Sequence, residues 1–225
     1  MNVAEVIVSA PAKARVVPIA ERVVPAWWPR AKRSIDIAVA ILVLVLSFPV
    51  LVLAMLGIVV VSGGSPIFLQ ERVGRGGRRF RMFKLRTMVC GAHLLHGDMQ
   101  AFNEVDGPVF KMRDDPRLHA LGALLRRTSI DELPNFINVL RGEMSAVGPR
   151  PPLPSEVAHY DDFAMRRLDV KPGVTGLWQI SGRSQVSFDE WMALDNAYID
   201  HWSPLADLDI IVRTIPAVIR GIGAH

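Results

Sequence analysis

Residues 37–61 read IAVAILVLVLSFPVLVLAMLGIVVV, with no charged side chain between Ile37 and Val61. At a helical rise of about 1.5 Å per residue this run extends about 37 Å, enough to cross a hydrocarbon core. It starts too far from Met1 for a secretion signal, and no small-residue cleavage site accompanies it. Two arrangements fit: a single kinked span, or a hairpin that enters and leaves a bilayer on one side. Pro49 sits near the centre, where it removes a backbone hydrogen bond and crowds the preceding turn. The break leaves two halves of about a dozen residues, each too short to span. Both flanks are basic, with Arg30, Lys32 and Arg33 before the run and Arg72, Arg75, Arg78, Arg79 and Arg81 after it. A single span normally keeps its positive flank on one side only, so the charges favour the hairpin. Proline is tolerated inside spanning helices, and the residues alone leave the kinked span open.

Outward from this run, the chain divides into an arm at 1–30, the membrane helix at 31–62 and a larger part at 63–225. Pro11, Pro18, Pro25 and Pro29 punctuate the arm without a sustained period, and Trp27 and Trp28 suit a membrane interface. Half of the 225 residues are hydrophobic while 21% are charged, so the apolar content is segregated in the helix. The net charge of +4 calls for an anionic partner, which charge alone does not choose among nucleic acid, lipid surface and phosphorylated small molecule. No nucleic-acid-binding module is recognisable, and many of the basic residues flank the apolar run. A single cysteine, Cys90, excludes an intrachain disulfide framework.

The larger part reads as α+β and mostly helical. A short strand at Ile67–Gln70 and a basic glycine-rich turn lead into an extended stretch, Phe80–Thr87, in which Lys84 and Arg86 share a face. Helices are expected at Leu118–Arg127, after Thr128-Ser129 as far as Gly142, at Ser155–Arg167 and at Phe188–His201. Lys171–Arg183 reads as loop. The final segment, Leu205–Ile222, is apolar on one face and suits either a membrane interface or the core. His93 and His96 lack a further ligand cluster and read as surface residues.

Asp131-Glu132 is the pair most able to carry chemistry. Ser129-x-x-Glu132 matches a capping box, and acidic residues are common in a first helical turn. Pro134 sharpens the expectation, because proline fits only the first turn and so starts the helix near Ile130 or Asp131. Unpaired N–H groups at such a terminus also favour phosphate. A carboxylate there can attack phosphorus, and with its neighbour can hold Mg²⁺ against a pyrophosphate. Cations for the developing charge are at hand in Lys84, Arg86, Arg126 and Arg150, the last between Pro149 and Pro151.

Several motifs follow one another in a specific order: Lys32-Arg33-Ser-Ile-Asp36 before the Pro-broken helix, Phe83-Lys84-Leu-Arg86-Thr87-Met88, Asp115-Pro116-Arg117, and Arg126 through Asp131-Glu132-Leu-Pro134. Arg141-Gly142-Glu143-Met144-Ser145, Val147-Gly148-Pro149-Arg150-Pro151, and Lys171-Pro172-Gly173-Val-Thr175-Gly176 through Gln179-Ile-Ser-Gly182-Arg183 complete the series. From about Lys32 to the end the chain resembles the bacterial sugar transferases, or monotopic phosphoglycosyl transferases. It is most similar to the short members that start exopolysaccharide synthesis by moving galactose or glucose phosphate to undecaprenyl phosphate. The resemblance implies a re-entrant helix in the bacterial inner membrane and a cytoplasmic α/β catalytic domain with interfacial helices. It also implies a UDP-sugar donor, a polyprenyl phosphate acceptor, surrounding membrane lipid, no nucleic acid, and room for a homo-oligomer. Asp131 corresponds to the nucleophile and Glu132 to its partner, both facing Mg²⁺; Lys84, Arg86, Arg126, Arg150 and Arg183 correspond to phosphate-binding positions. The family breaks its helix at Ser-Pro, whereas this chain has Ser47-Phe48-Pro49, so Ser47 is expected to reach a carbonyl freed by the proline from one position away. A non-catalytic membrane scaffold that recruits polysaccharide enzymes is the competing reading, and it leaves the ordered motifs unexplained.

Overall fold

The computed structural model describes residues 25–92, 103–104, 107–109, 112, 115–181 and 186–219. The expectations for the arm as far as residue 24, for His93 and His96, and for Arg183 fall outside these residues.

Helix α1 runs unbroken from Trp28 to Ser62, with Pro49 inside it and Gly63 closing it in the left-handed conformation. The expected pair of half-helices is therefore one helix, since the single missing N–H at Pro49 leaves the flanking turns paired. Ser47 Oγ donates to Val43 O at 2.6 Å. The carbonyl that Pro49 frees is that of Val45, so the serine supports the turn before the proline and does not repair the gap.

Five residues of α1 are buried: Asp36 and Ala40 ahead of Pro49, and Leu51, Ala54 and Ile58 behind it. Ala40 joins Phe80, Met82, Val139 and Met144 in one apolar cluster. Leu51, Ala54 and Ile58 join Leu85 and Leu125 in another. Both halves of α1 thus pack on the same body, while Val45, Leu46 and Phe48 between them stay at least 65% exposed. The base is fixed by charge. Arg33 donates to Val139 O at 2.7 Å and to Leu140 O at 2.9 Å, capping the last turn of helix α3 (Asn135–Arg141). Asp36 accepts from Ser145 Oγ and Ala146 N, both at 2.9 Å, and Lys32 Nζ lies 2.7 Å from buried Asp207.

Strands β1 (Ile67–Val73) and β2 (Arg79–Leu85) form an antiparallel hairpin, with Phe68 opposite Lys84. Helix α2 (Ala120–Arg127) follows, capped by His119 Nδ1, which accepts from Gly122 N at 2.9 Å. Strand β3 (Ser145–Val147) pairs in parallel with β4 (Gly173–Thr175). The stretch expected as loop therefore supplies a strand and a short helix, α6 (Leu177–Ile180). Glycine makes this pairing possible: a Cβ on Gly148 would lie 2.5 Å from Lys171 O, and one on Gly173 would strike the backbone of Gly148. The helix expected at Ser155–Arg167 is instead α4 (Pro154–Val157), α5 (Asp162–Met165) and a 3₁₀ turn, Arg166–Asp169. Asp161 restarts the helix by accepting from Ala164 N at 2.8 Å, a side-chain cap that competes with helix continuation.

Helix α7 (Phe188–His201) has the expected bounds and begins with a Ser187–Glu190 capping box. Helix α8 (Pro204–Ile219) buries Asp207 and Ile210 against α7 and exposes Leu205, Leu208, Val212 and Ile215. Both alternatives for this segment have support in it, because one face joins the core and the other remains apolar and uncovered.

Candidate active site

Asp131 and Glu132 lie in a 3₁₀ turn, Ile130–Glu132, and α3 begins only at Asn135 with Pro134 as its cap. The capping box does not form. Ser129 makes no side-chain cap bond and takes φ +56°, the one positive φ outside glycine among the described residues. A serine in this region stores strain of about 1 kcal/mol or more, held here by the packing of its neighbours. Ile130 and Leu133, on either side of the acidic pair, pack against the cluster of Leu51, Ala54, Ile58, Leu85 and Leu125. The turn that carries the carboxylates therefore rests on the second half of α1.

Asp131 is 7% exposed. Burial, and after it the charge of Glu132, raise its pKa from the ordinary 3.8 to about 6 against the pull of Lys84 and Arg126. A desolvated carboxylate flanked by cations can act as a nucleophile once ionised, because it has lost hydration that would otherwise blunt it. Lys84 Nζ donates to Glu132 Oε1 at 2.7 Å. Arg126 Nε donates to Thr87 Oγ1 at 3.1 Å, and burial lowers its pKa against the raising pull of Asp131 and Asp115.

Of the phosphate-binding positions expected from the sequence, Lys84 and Arg126 thus stand at the acidic pair. Arg86 follows the end of β2 and donates to Ser65 O at 2.7 Å, so it ties the hairpin to the loop after α1 and has a different partner from Lys84. Arg150 lies 3.4 Å from buried Glu156 and over the Trp191 ring at 5.5 Å.

Three residues that sequence reading passed over complete the arrangement. Asn138, wholly buried in α3, accepts from Phe83 N at 3.0 Å and donates to Arg81 O at 2.8 Å and Glu143 Oε2 at 2.7 Å. It fixes α3 to the edge of β2 and so sets the acidic turn against Lys84. Arg72, 4% exposed, is pushed down to about 9 by burial and by Arg150, against the opposing charges of Glu156 and Glu132, and remains a cation at neutral pH. Arg167 pairs with Asp195 at 2.8 Å, both fully buried. A lone asparagine and two arginines in basic runs carry no signal in sequence; alternation along β1 puts Arg72 on the same face as Gln70, and that was the available hint.

The donor set suits a hard cation. Two adjacent carboxylates give oxygen ligands, and Asn135 Oδ1, three residues after Glu132 in the chain, is buried without a hydrogen-bond partner. Among the described residues no group of three or more His, Cys, Asp or Glu side chains could enclose a metal by itself. The two adjacent carboxylates are a number that Mg²⁺ commonly takes, completing its shell with water and substrate phosphate.

The family described as "Bacterial sugar transferase" matches residues 27–221. The chain belongs to the bacterial sugar transferases. Among individual relatives of this transferase, "Galactosyl transferase CpsE" of Streptococcus agalactiae is 46% identical over 195 residues, 86% of this chain and 43% of that protein. "Exopolysaccharide production protein ExoY" of Sinorhizobium fredii is 42% identical over 205 residues, 87% of this chain and 88% of that one. "UDP-glucose:undecaprenyl-phosphate glucose-1-phosphate transferase" of Caulobacter vibrioides is 40% identical over 207 residues, covering 86% and 72%. This transferase therefore spans less than half of the streptococcal relative and most of the rhizobial one.

Proposed function

We propose that the chain transfers a sugar 1-phosphate from a UDP-sugar to undecaprenyl phosphate through a phosphosugar bound covalently to Asp131. An Asp131 oxygen attacks the β-phosphorus; the bond from that phosphorus to the bridging oxygen breaks, and UMP leaves with the bridging oxygen and its electrons. An oxygen of undecaprenyl phosphate then attacks the same phosphorus, releasing the Asp131 carboxylate and forming an undecaprenyl diphosphosugar. Lys84 and Arg126 face the developing charge, and Glu132 holds Lys84 in place. Arg150, held by Glu156, takes the phosphate oxygens by the position it shares with the family motif. Mg²⁺ held by Asp131 and Glu132 would neutralise the pyrophosphate. The relatives' names specify galactose in one case and glucose in another, so galactose and glucose are the first sugars to try.

The observation that carries the reading is the seat of the acidic turn: a buried carboxylate, flanked by cations, packed on a helix whose outer face is apolar and uncovered. A polyprenyl chain stays in the bilayer, so its phosphate must be met at headgroup level. Anchorage of α1 on one body both before and after Pro49 supports a re-entrant helix, because a helix that crossed fully would carry one end away from the domain. The apolar stripe of α8 supports a second contact with the interface. A nucleotide-sugar donor made in the cytoplasm would put the catalytic domain on the cytoplasmic face of the inner membrane.

Membranes containing the chain, incubated with undecaprenyl phosphate and a panel of UDP-sugars, should release UMP and yield a lipid diphosphosugar identified by mass. Absence of UMP release with every sugar tested would favour the scaffold reading instead.

A further inference from the structure

Residues 149–152 read Pro-Arg-Pro-Pro, and only Arg150 among them has a backbone N–H to offer. Such a segment cannot join a sheet on its own donors, so its place depends on what donates to its carbonyls. All four carbonyls are bound. Pro149 O accepts from Gly173 N at 2.8 Å and Pro152 O from Val73 N at 2.9 Å. The two between them accept from arginine side chains: Arg150 O from Arg167 Nη2, and Pro151 O from Arg72 Nη1, each at 2.9 Å.

Burying two guanidinium groups to serve neutral carbonyls is a costly choice, since a backbone amide would do the same without desolvating a charge. The remaining contacts show how each arginine is oriented. Arg72 donates from Nε and Nη2 to Gln70 Oε1, at 3.2 and 2.6 Å, leaving Nη1 directed at Pro151. Arg167 donates Nη1 to Tyr160 Oη at 2.7 Å, pairs with Asp195, and lies over the Trp191 ring at 4.9 Å. That ring is also the one beneath Arg150. The side chain at the centre of the clamp is held in turn by Glu156, itself 1% exposed and fixed by accepting from Leu153 N at 2.9 Å.

We infer that Arg72 and Arg167 are positioning residues for Arg150. They fix its own carbonyl and that of the next residue, so that its guanidinium meets the substrate's phosphate oxygens without first being ordered. The inference rests on the proposed role of Arg150 as a phosphate contact. It adds that the contact is preorganised by two other arginines, one from the β1–β2 hairpin and one from the turn after α5.

A double-mutant cycle tests it, using the full chain purified in detergent, with UDP as the binding probe and UMP release as the kinetic one. Arg150→Ala should weaken UDP binding roughly 10- to 100-fold. Arg72→Met and Arg167→Lys should each weaken it about 10-fold in the wild-type background and by less than about 2-fold when Arg150 is already alanine. Melting temperatures report folding separately, and Arg72→Lys, which keeps the charge but loses the fork, replaces Arg72→Met if the latter does not fold. Equal losses in both backgrounds would mean that the two arginines act on overall structure and would overturn the inference, as would unchanged binding in Arg72→Met and Arg167→Lys. Wild-type UDP binding by Arg150→Ala would remove the phosphate role of Arg150 itself, and with it the clamp's purpose.

Discussion

Lys84 and Glu132 meet at 2.7 Å, joining the penultimate residue of β2 to the turn that holds Asp131. Lys84 is largely covered while Glu132 is nearly half exposed, so the pair is half in water and its worth as a stabilising contact is small, below about 1 kcal/mol. Its value is electrostatic and local. Lys84→Met should leave the melting temperature nearly unchanged and reduce transfer by about 100-fold or more, measured as UMP release. A loss of stability as large as the loss of activity would show the pair to be structural.

Asp131→Asn should abolish transfer and the trapping of labelled sugar phosphate on the protein. Turnover near the wild-type rate would refute the nucleophile assignment.

The same substitution should stabilise the fold. In the folded chain the pKa of Asp131 is raised to about 6 from the ordinary 3.8, so the folded state favours the protonated acid. That contribution is fully present below about pH 4 and is lost as pH rises through about 6, amounting to about 3 kcal/mol at most. Asp131→Asn should therefore melt higher than wild type at pH 8, in metal-free buffer, and the difference should vanish toward pH 4. An equal difference at both pH values would contradict the burial argument.

Chelation of Mg²⁺ should silence UMP release and re-addition should restore it. Activity that persists in excess chelator would end the role given to the acidic pair as metal ligands.

The seating of α1 predicts its topology. In a Cys90→Ser background, Arg30→Cys in the first turn of α1 and Ser65→Cys just past its end place thiols at exposed positions near the two ends of the helix. Both should react with an impermeant maleimide from the cytoplasmic side of oriented vesicles. Labelling of one from each side would mean a full span.

Gly173→Ala should cost about 3 kcal/mol, because the added methyl meets the backbone of Gly148, which cannot move without breaking the β3–β4 pairing. Chemical denaturation measures it directly; a neutral substitution would show the strand contact to be looser than its geometry.

Much of this was legible in the residues. The uncharged run at 37–61 announced the long helix, the alternation around Lys84 announced β2, and the segment Phe188–His201 read as the helix that is α7. The ordered motifs named the family and singled out Asp131. These features are local, or repeat with a helix or strand period, and a sequence displays such patterns directly.

What the tertiary structure alone decided is of another kind. It kept α1 continuous through Pro49, began α3 four residues after Asp131, and turned Ser129 into a left-handed hinge where a cap was expected. It placed Asn138 across β2, sent Arg86 to Ser65, and set Arg72 and Arg167 beneath the proline segment. Each of these depends on which distant backbone group lacks a partner once the chain has collapsed. Arg72 and Pro151 are far apart in sequence and carry no mark of one another. Burial removes water as the alternative partner, and only then does a particular arginine become the donor that a particular carbonyl requires.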